Sequence, residues 1–75
     1  MFEKVKSILV NELQLKESDI TPEADLVNDL GVNSLELADL IMVCEEEFEI
    51  EISDDDIRKF VTVSDICDYL AKSVN

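Results

Sequence analysis

The sequence predicts an all-α fold, a small four-helix bundle of three main helices and one short helix, with a long first loop. Apolar residues recur at helical spacing in separate segments. Glycine and proline occur once each in 75 residues, and Leu, Ile, Val, Glu and Asp dominate the composition. We therefore expect a single domain over residues 1–75. Apolar residues make up 47% of the chain, so it should fold despite a net charge of −13.

The first helix is predicted over residues 2–14, where Phe2, Val5, Leu9 and Leu13 recur at helical spacing. A connection over about residues 15–33 follows, because serine, threonine, proline and glycine interrupt any continuous helix there. A short helical turn can form at 22–26. Apolar residues scattered through this connection should pin it to the core; they are Leu15, Ile20, Leu26 and Leu30.

The second helix is predicted to begin at Ser34 and to end at Phe48 or Glu49. Asn33 is a favourable N-cap, and Glu36 stands three residues later, as a capping box requires. One apolar stripe should face the core, formed by Leu37, Leu40, Ile41, Cys44 and Phe48. Leu35, Ala38 and Met42 fall outside this stripe, at positions that are ordinarily polar in a monomer.

Two further helices complete the bundle. Ser53 should cap a short helix over residues 54–60, with Ile57 and Phe60 pointing inward. Thr62 should cap the last helix, over about residues 63–73, with Asp65 three residues on.

Charge is distributed unevenly along the chain. From Glu17 through Ile57 there are fifteen Asp and Glu residues and no Lys or Arg. This acidity argues against nucleic acid and anionic membranes as ligands, and it favours partners with basic docking patches. No apolar run approaches the roughly 18 residues of a membrane span, and the N-terminus does not resemble a signal peptide, so a cytoplasmic protein is expected. Cys44 and Cys67 should be small buried hydrophobes in a reducing compartment.

The residue types needed for catalysis are missing. The chain has no histidine, so a hydrolytic triad would lack its usual base. Two separated cysteines do not form a structural zinc site, and the acidic runs at 45–47 and 54–56 lack the spacing of a calcium loop. We therefore expect no enzyme activity and no metal site.

Ser34 is the remaining candidate for chemistry. A phosphodiester on its hydroxyl would lie at a helix N-terminus, where free N–H groups and the macrodipole favour an anion. Gly31, the only glycine, lets the preceding loop turn tightly. Ser34 is thus either a serine modified by another protein or only a residue that begins a helix.

Several motifs resemble those of one known family. The run Asp29-Leu30-Gly31-Val32-Asn33-Ser34-Leu35, followed by Glu45-Glu46-Glu47-Phe48, is similar to the acyl carrier protein of bacterial type II fatty acid synthesis. Thr62-Val63 and Ile66-Cys67-Asp68-Tyr69-Leu70 resemble the fourth helix of that family. The resemblance extends over essentially the whole chain.

The resemblance implies a monomeric carrier and not a catalyst. Ser34 would receive phosphopantetheine from coenzyme A through a carrier-protein synthase (a phosphopantetheinyl transferase). Growing acyl chains would then travel as thioesters on this arm to ketosynthases and other fatty acid synthesis enzymes. The partner-binding residues are expected on the second helix: Leu35, Glu36, Asp39, Met42, Glu45 and Glu46. The candidates for an acyl cavity are Leu37, Leu40, Ile52, Ile57 and Phe60, each of which could equally be an ordinary core residue.

One residue departs from the family pattern, which usually has Asp immediately before the serine. Asn33 still caps the helix but removes a negative charge beside the hydroxyl. Two alternatives stay open on this reasoning. One is a specialised carrier of polyketide, D-alanyl or aminoacyl groups. The other is a non-carrier acidic interaction module, in which Ser34 only begins a helix.

Overall fold

The computed structural model describes residues 1–73. Within them the chain forms four α-helices: α1 (Phe2–Leu13), α2 (Ser34–Phe48), α3 (Asp54–Ile57) and α4 (Val63–Ser73). A 3-10 helix, Glu17–Asp19, lies in the connection between α1 and α2. The predicted all-α bundle of three main helices and one short helix is confirmed.

The helix ends differ from the sequence prediction in two places. Helix α1 stops at Leu13 because Gln14 takes the left-handed conformation, with φ 55° and ψ 37°. Helix α3 was expected to reach residue 60 but ends at Ile57. Beyond Ile57 the backbone hydrogen bonds span three residues instead of four, as in the bond from the Phe60 N–H to the Ile57 carbonyl.

The long connection contains helical structure at a different place from the one expected. Residues 22–26 do not form a helical turn, since the Ala24 N–H donates to the Thr21 carbonyl in a reverse turn. The 3-10 helix occurs earlier, and its Glu17 carboxylate pairs with Lys6 of α1 at 3.4 Å. This ion pair joins residues distant in sequence, so local pattern did not reveal it.

Apolar residues from every main helix meet in one core. Helix α1 packs against both α2 and α4. The long connection adds a large share of the buried side chains: Ile20, Ala24, Leu26, Leu30 and Val32. Three of the four expected pins, Ile20, Leu26 and Leu30, are therefore buried, and Leu15 is half-buried. This loop is part of the core and not a tether between helices.

Backbone hydrogen bonds tie the loop to the start of α4. The Val63 N–H donates to the Ala24 carbonyl at 3.1 Å, and the Ser64 N–H donates to the Pro22 carbonyl at 2.9 Å. These N–H groups belong to the first turn of a helix, where no partner exists within the helix itself. The loop therefore caps α4, and α4 in turn fixes the loop.

Both cysteines are free thiols in the interior. Burial raises the pKa of the Cys44 thiol to about 11, and it also raises the pKa of Cys67. Both thiols stay protonated at neutral pH and behave as small apolar groups.

None of the helices within residues 1–73 has the length and apolar character needed to cross a membrane.

Candidate functional site

Ser34 is the first residue of α2, and its side chain is exposed. The preceding Asn33 is the N-cap. Its Oδ1 accepts from the Glu36 N–H at 2.8 Å, and the Glu36 Oε1 accepts from the Asn33 N–H at 3.1 Å. This is the predicted capping box, and it fixes the backbone on both sides of Ser34. Within residues 1–73 the Ser34 hydroxyl takes part in no hydrogen bond, so it is available for modification.

Gly31 sets the direction in which the chain enters α2. Its φ is +67°, in the left-handed region that residues with a side chain rarely adopt. A Cβ built there would meet nothing within 4 Å, so glycine is favoured at this position by backbone conformation and not by space. The next residue, Val32, is buried and its N–H donates to the Leu26 carbonyl at 2.8 Å.

Two aspartates organise the loop before Gly31. The Asp25 Oδ1 accepts from the N–H groups of Val27 and Asn28, both at 2.9 Å. The Asp29 Oδ2 accepts from the Asp25 N–H at 2.8 Å. The Asn28 N–H, followed by the Val27 N–H, holds the pKa of the Asp25 carboxyl below its usual range. Asp29 of the sequence motif therefore shapes the loop together with Asp25, whose role no local sequence pattern indicates.

An apolar cavity of about 310 Å³ opens beside Ser34. The loop, α2 and α3 each supply part of its lining. The lining residues are Leu26, Val27, Val32, Asn33, Ser34, Leu37, Ala38, Asp54, Ile57 and Phe60. The cavity thus has the modifiable hydroxyl on its rim.

Of the five residues expected at an acyl cavity, three line the cavity beside Ser34 and two lie elsewhere. Leu37, Ile57 and Phe60 line the cavity. Leu40 does not, because it is fully buried in the core, and Ile52 lines instead a separate groove that it shares with Met42. The loop residues of the lining were missed, since their approach to α2 depends on long-range packing. The sequence did single out Ala38, because it is an apolar residue of α2 that falls outside the core stripe.

The six residues expected to bind partners all lie on α2, but they are not equally free. Leu35 is 79% exposed and Met42 is 60% exposed, which is unusual for side chains of this size. Asp39 and Glu46 are exposed too. Glu36 is bonded within the capping box, and the Glu45 Oε2 accepts from the Ile52 N–H at 2.8 Å.

The acids of α2 are not neutralised by neighbouring basic groups. The ion pairs formed within residues 1–73 both involve Lys6, with Glu3 at 3.5 Å and Glu17 at 3.4 Å. The same residues contain no group of three or more ligating side chains placed to hold a metal ion. The α2 surface therefore presents spread negative charge around exposed apolar side chains.

Comparison with known proteins agrees with this geometry. A family model described as a phosphopantetheine attachment site matches residues 3–70. A solved structure from Mycobacterium tuberculosis, described as an acyl carrier protein, is similar in fold with a TM-score of 0.89. It is 35% identical, and the match covers 96% of this chain and 96% of that one.

These matches confirm the resemblance to acyl carrier proteins and exclude the non-carrier interaction module. The exposed Ser34 hydroxyl at a helix N-terminus, with no competing hydrogen bond among the described residues, fits a covalent phosphodiester link. Proteins of this kind hold a covalently attached phosphopantetheine and are carriers, not catalysts. The chain belongs to the phosphopantetheine attachment family and is a carrier protein.

Proposed function

We propose that this chain is an acyl carrier of bacterial type II fatty acid synthesis, one domain over residues 1–75, with phosphopantetheine attached at Ser34. The observation that supports this most directly is the free Ser34 hydroxyl on the rim of an apolar cavity. When attached, the group supplies a terminal thiol that carries growing acyl chains as thioesters. The chain's own residues position that arm, shield its cargo and present a docking face.

Ser34 is favoured over the other five serines by its surroundings. The Ser53 Oγ accepts from the Asp56 N–H, and the Ser73 Oγ donates to the Tyr69 carbonyl. The Ser64 Oγ lies 3.4 Å from the Thr62 Oγ1 and is half-buried. Ser7 and Ser18 are exposed, but neither lines the cavity beside α2. Ser34 alone among these combines exposure, a free hydroxyl and a helix N-terminus that stabilises an anion.

The lining of the cavity favours a fatty acyl chain over the other cargoes. Its walls are mainly aliphatic and aromatic, and a saturated chain gains free energy by leaving water there. A polyketide would bury carbonyl groups opposite walls that offer few hydrogen-bond donors. A D-alanyl or other aminoacyl group would move an ammonium out of water into a mainly apolar lining, which costs free energy that pairing with Asp54 offsets only in part. We therefore place these specialised carriers second.

Helix α2 supports the proposed partners. Leu35 and Met42 can contribute apolar contacts, and Asp39 and Glu46 can pair with basic side chains around them. The synthase that modifies Ser34, the ketosynthases and the other enzymes of the pathway would share this face in turn. Free buried thiols are consistent with the reducing compartment that we propose, the cytoplasm, where the carrier would act as a monomer.

The experiment that tests the attachment site is modification in vitro. The apo protein is incubated with coenzyme A and a promiscuous phosphopantetheinyl transferase, and its intact mass is measured. We expect a gain of one phosphopantetheine in the wild type and in the control Ser18→Ala, and no gain in Ser34→Ala. A gain that persists in Ser34→Ala would place the attachment elsewhere and overturn the proposal.

The cargo is tested by the intact mass of the protein isolated from its own cells. Fatty acyl masses that differ by two-carbon steps are expected. A single aminoacyl or D-alanyl mass would instead establish the specialised carrier.

A further inference from the structure

Glu45 holds the turn that leaves α2 through two different groups. Its backbone carbonyl accepts from the N–H of Glu49 and from the N–H of Ile50. Its carboxylate Oε2 accepts from the Ile52 N–H at 2.8 Å, across seven residues of chain, in a half-buried setting. A hydrogen bond to a carboxylate is stronger than one between neutral groups, so this contact restrains the connection between α2 and α3.

The Ile52 N–H connects the segment after α2 to α2 itself. Among the hydrogen-bonded backbone N–H groups of residues 51–60, it is the one whose acceptor lies outside this segment. The other bonds are local, such as Asp56 N–H to the Ser53 Oγ and Arg58 N–H to the Asp54 carbonyl. A four-residue helix does not form alone, so the position of α3 depends on what anchors its ends. Ile52, which is 7% exposed, is the anchor on the side of α2.

Helix α3 and the turn after it form one wall of the cavity beside Ser34. Ile57 and Phe60 both line that cavity. The Phe60 ring packs edge-on against Tyr69 of α4, with ring centroids 5.5 Å apart. The wall is therefore anchored to α4 by an aromatic contact at one end and to α2 by Glu45 at the other.

We propose that Glu45 is a positioning residue for the cavity, and that it couples partner docking to release of the cargo. Its carboxylate keeps α3 in place while the carrier is free. A guanidinium of a docked partner binds a carboxylate through both oxygens, so it competes with the Ile52 N–H for Oε2. Glu45 lies on α2 between Met42 and Glu46, where such a partner would dock. The part of this inference that concerns cargo rests on the proposed acyl function.

The first test uses the apo protein and needs no cargo. Native-state amide hydrogen exchange is measured by NMR for the wild type, Glu45→Ala, Glu45→Gln and Glu46→Ala. We expect the Ile52 amide to exchange about tenfold faster in Glu45→Ala, because its carboxylate acceptor is gone. Glu45→Gln keeps a side-chain oxygen and should restore most of the protection. Glu46→Ala removes an equal charge from an exposed neighbour and should change nothing at Ile52.

The second test loads each variant with an octanoyl group and measures cleavage of the thioester by hydroxylamine. Cleavage should be several-fold faster in Glu45→Ala than in Glu45→Gln or Glu46→Ala. Equal Ile52 exchange in Glu45→Ala and the wild type would overturn the inference and leave the proposed function intact. Faster exchange with identical cleavage in all variants would overturn the link to the cavity. If the thioester of the wild type is cleaved as fast as that of free octanoyl-pantetheine, the cavity does not shield the acyl chain, and this part of the proposed function is wrong.

The third test examines docking. Exchange of the Ile52 amide is measured in the wild-type apo protein with saturating carrier-protein synthase and no coenzyme A. Saturation is verified from the chemical shifts of α2. Faster exchange at Ile52 supports the coupling, and unchanged or slower exchange would overturn it.

Discussion

Lengthening the acyl chain on Ser34 should stabilise the fold in regular steps that stop when the cavity is full. The perturbation is a series of carriers loaded with saturated chains from butyryl to tetradecanoyl. Each methylene that leaves water contributes about 0.8 kcal/mol to the free energy of unfolding. If the chain enters the cavity lined by Leu37, Ile57 and Phe60, the free energy of unfolding should rise by that amount for each methylene added along the series.

The volume of the cavity sets the ceiling. Filling an empty apolar space recovers about 24 cal/mol for each Å³. Applied to the cavity volume of about 310 Å³, this gives at most about 7 kcal/mol. At about 0.8 kcal/mol per methylene, the gain should end after roughly nine methylenes. For a domain of this size each fully buried methylene corresponds to about 3–6 °C in Tm.

The assay is urea unfolding followed by circular dichroism, with the loading of each sample verified by intact mass. A matched control is Leu37→Trp, which adds volume to one wall of the cavity and keeps it apolar. The quantity compared is the gain per methylene, so any cost of the substitution itself cancels. Stability that does not depend on chain length would refute the reasoning. The same steps and the same ceiling in Leu37→Trp would show that the chain binds elsewhere.

Four further outcomes are expected. Glu46→Lys should weaken binding to a ketosynthase, and the loss should be larger at low salt. The control Glu12→Lys makes the same charge change on α1, away from the proposed docking face, and should bind as the wild type does. Equal affinities of the two variants would contradict an electrostatic contribution from Glu46. Asn33→Asp keeps the N-cap and introduces the negative charge that the family usually has before the serine. An ion pair with a basic residue of the synthase is worth about 1 kcal/mol at an exposed site, so a non-cognate synthase should modify this variant roughly fivefold faster. Equal modification rates would contradict this. Because the pKa of Asp25 is lowered in the folded state, its stabilisation is present above the usual carboxyl range and lost as pH falls through the lowered value. Asp25→Asn should therefore lower the urea midpoint at pH 7, with the gap to the wild type closing on acidification; a gap independent of pH would refute this. With a pKa of about 11, only about one Cys44 thiol in a thousand is ionised at pH 8, so Ellman's reagent should react slowly with the apo protein and rapidly in urea. A fast reaction of the native apo protein would contradict the buried position of Cys44.

The parts of the fold that follow local rules were predictable from the sequence. The capping box at Asn33 and Glu36 needs only residue types at a fixed spacing, and α2 begins where it predicts. The exposure of Leu35 and Met42 followed from helical periodicity in the same way. These features make up the attachment point that we propose and most of the proposed docking face.

The cavity was predicted less well, because it depends on contacts between distant segments. Leu26 and Val32 line it, and both belong to the loop that is hydrogen-bonded to the start of α4. Leu40 and Ile52 were expected at the cavity on the family resemblance, and their apolar character alone does not distinguish a core position from a cavity wall. The end of α3 at Ile57 was missed for a related reason, since nothing local marks the change from four-residue to three-residue hydrogen bonding.

The long first loop needs a specific sequence because its residues fix the backbone that leads to Ser34, although the carrier itself is not a catalyst. Asp25 and Asp29 use their carboxylates on backbone N–H groups, and Gly31 supplies a left-handed residue. Together they bring Val32 into the core and place Ser34 at the start of α2, on the rim of the cavity. A change that unfolds this loop should therefore affect modification and cargo shielding together, although neither Asp25 nor Asp29 touches the hydroxyl. The acidic motif before the serine is in this respect a structural element of the site, whereas the exposed Asp39 and Glu46 of α2 are the charges that we propose for partners.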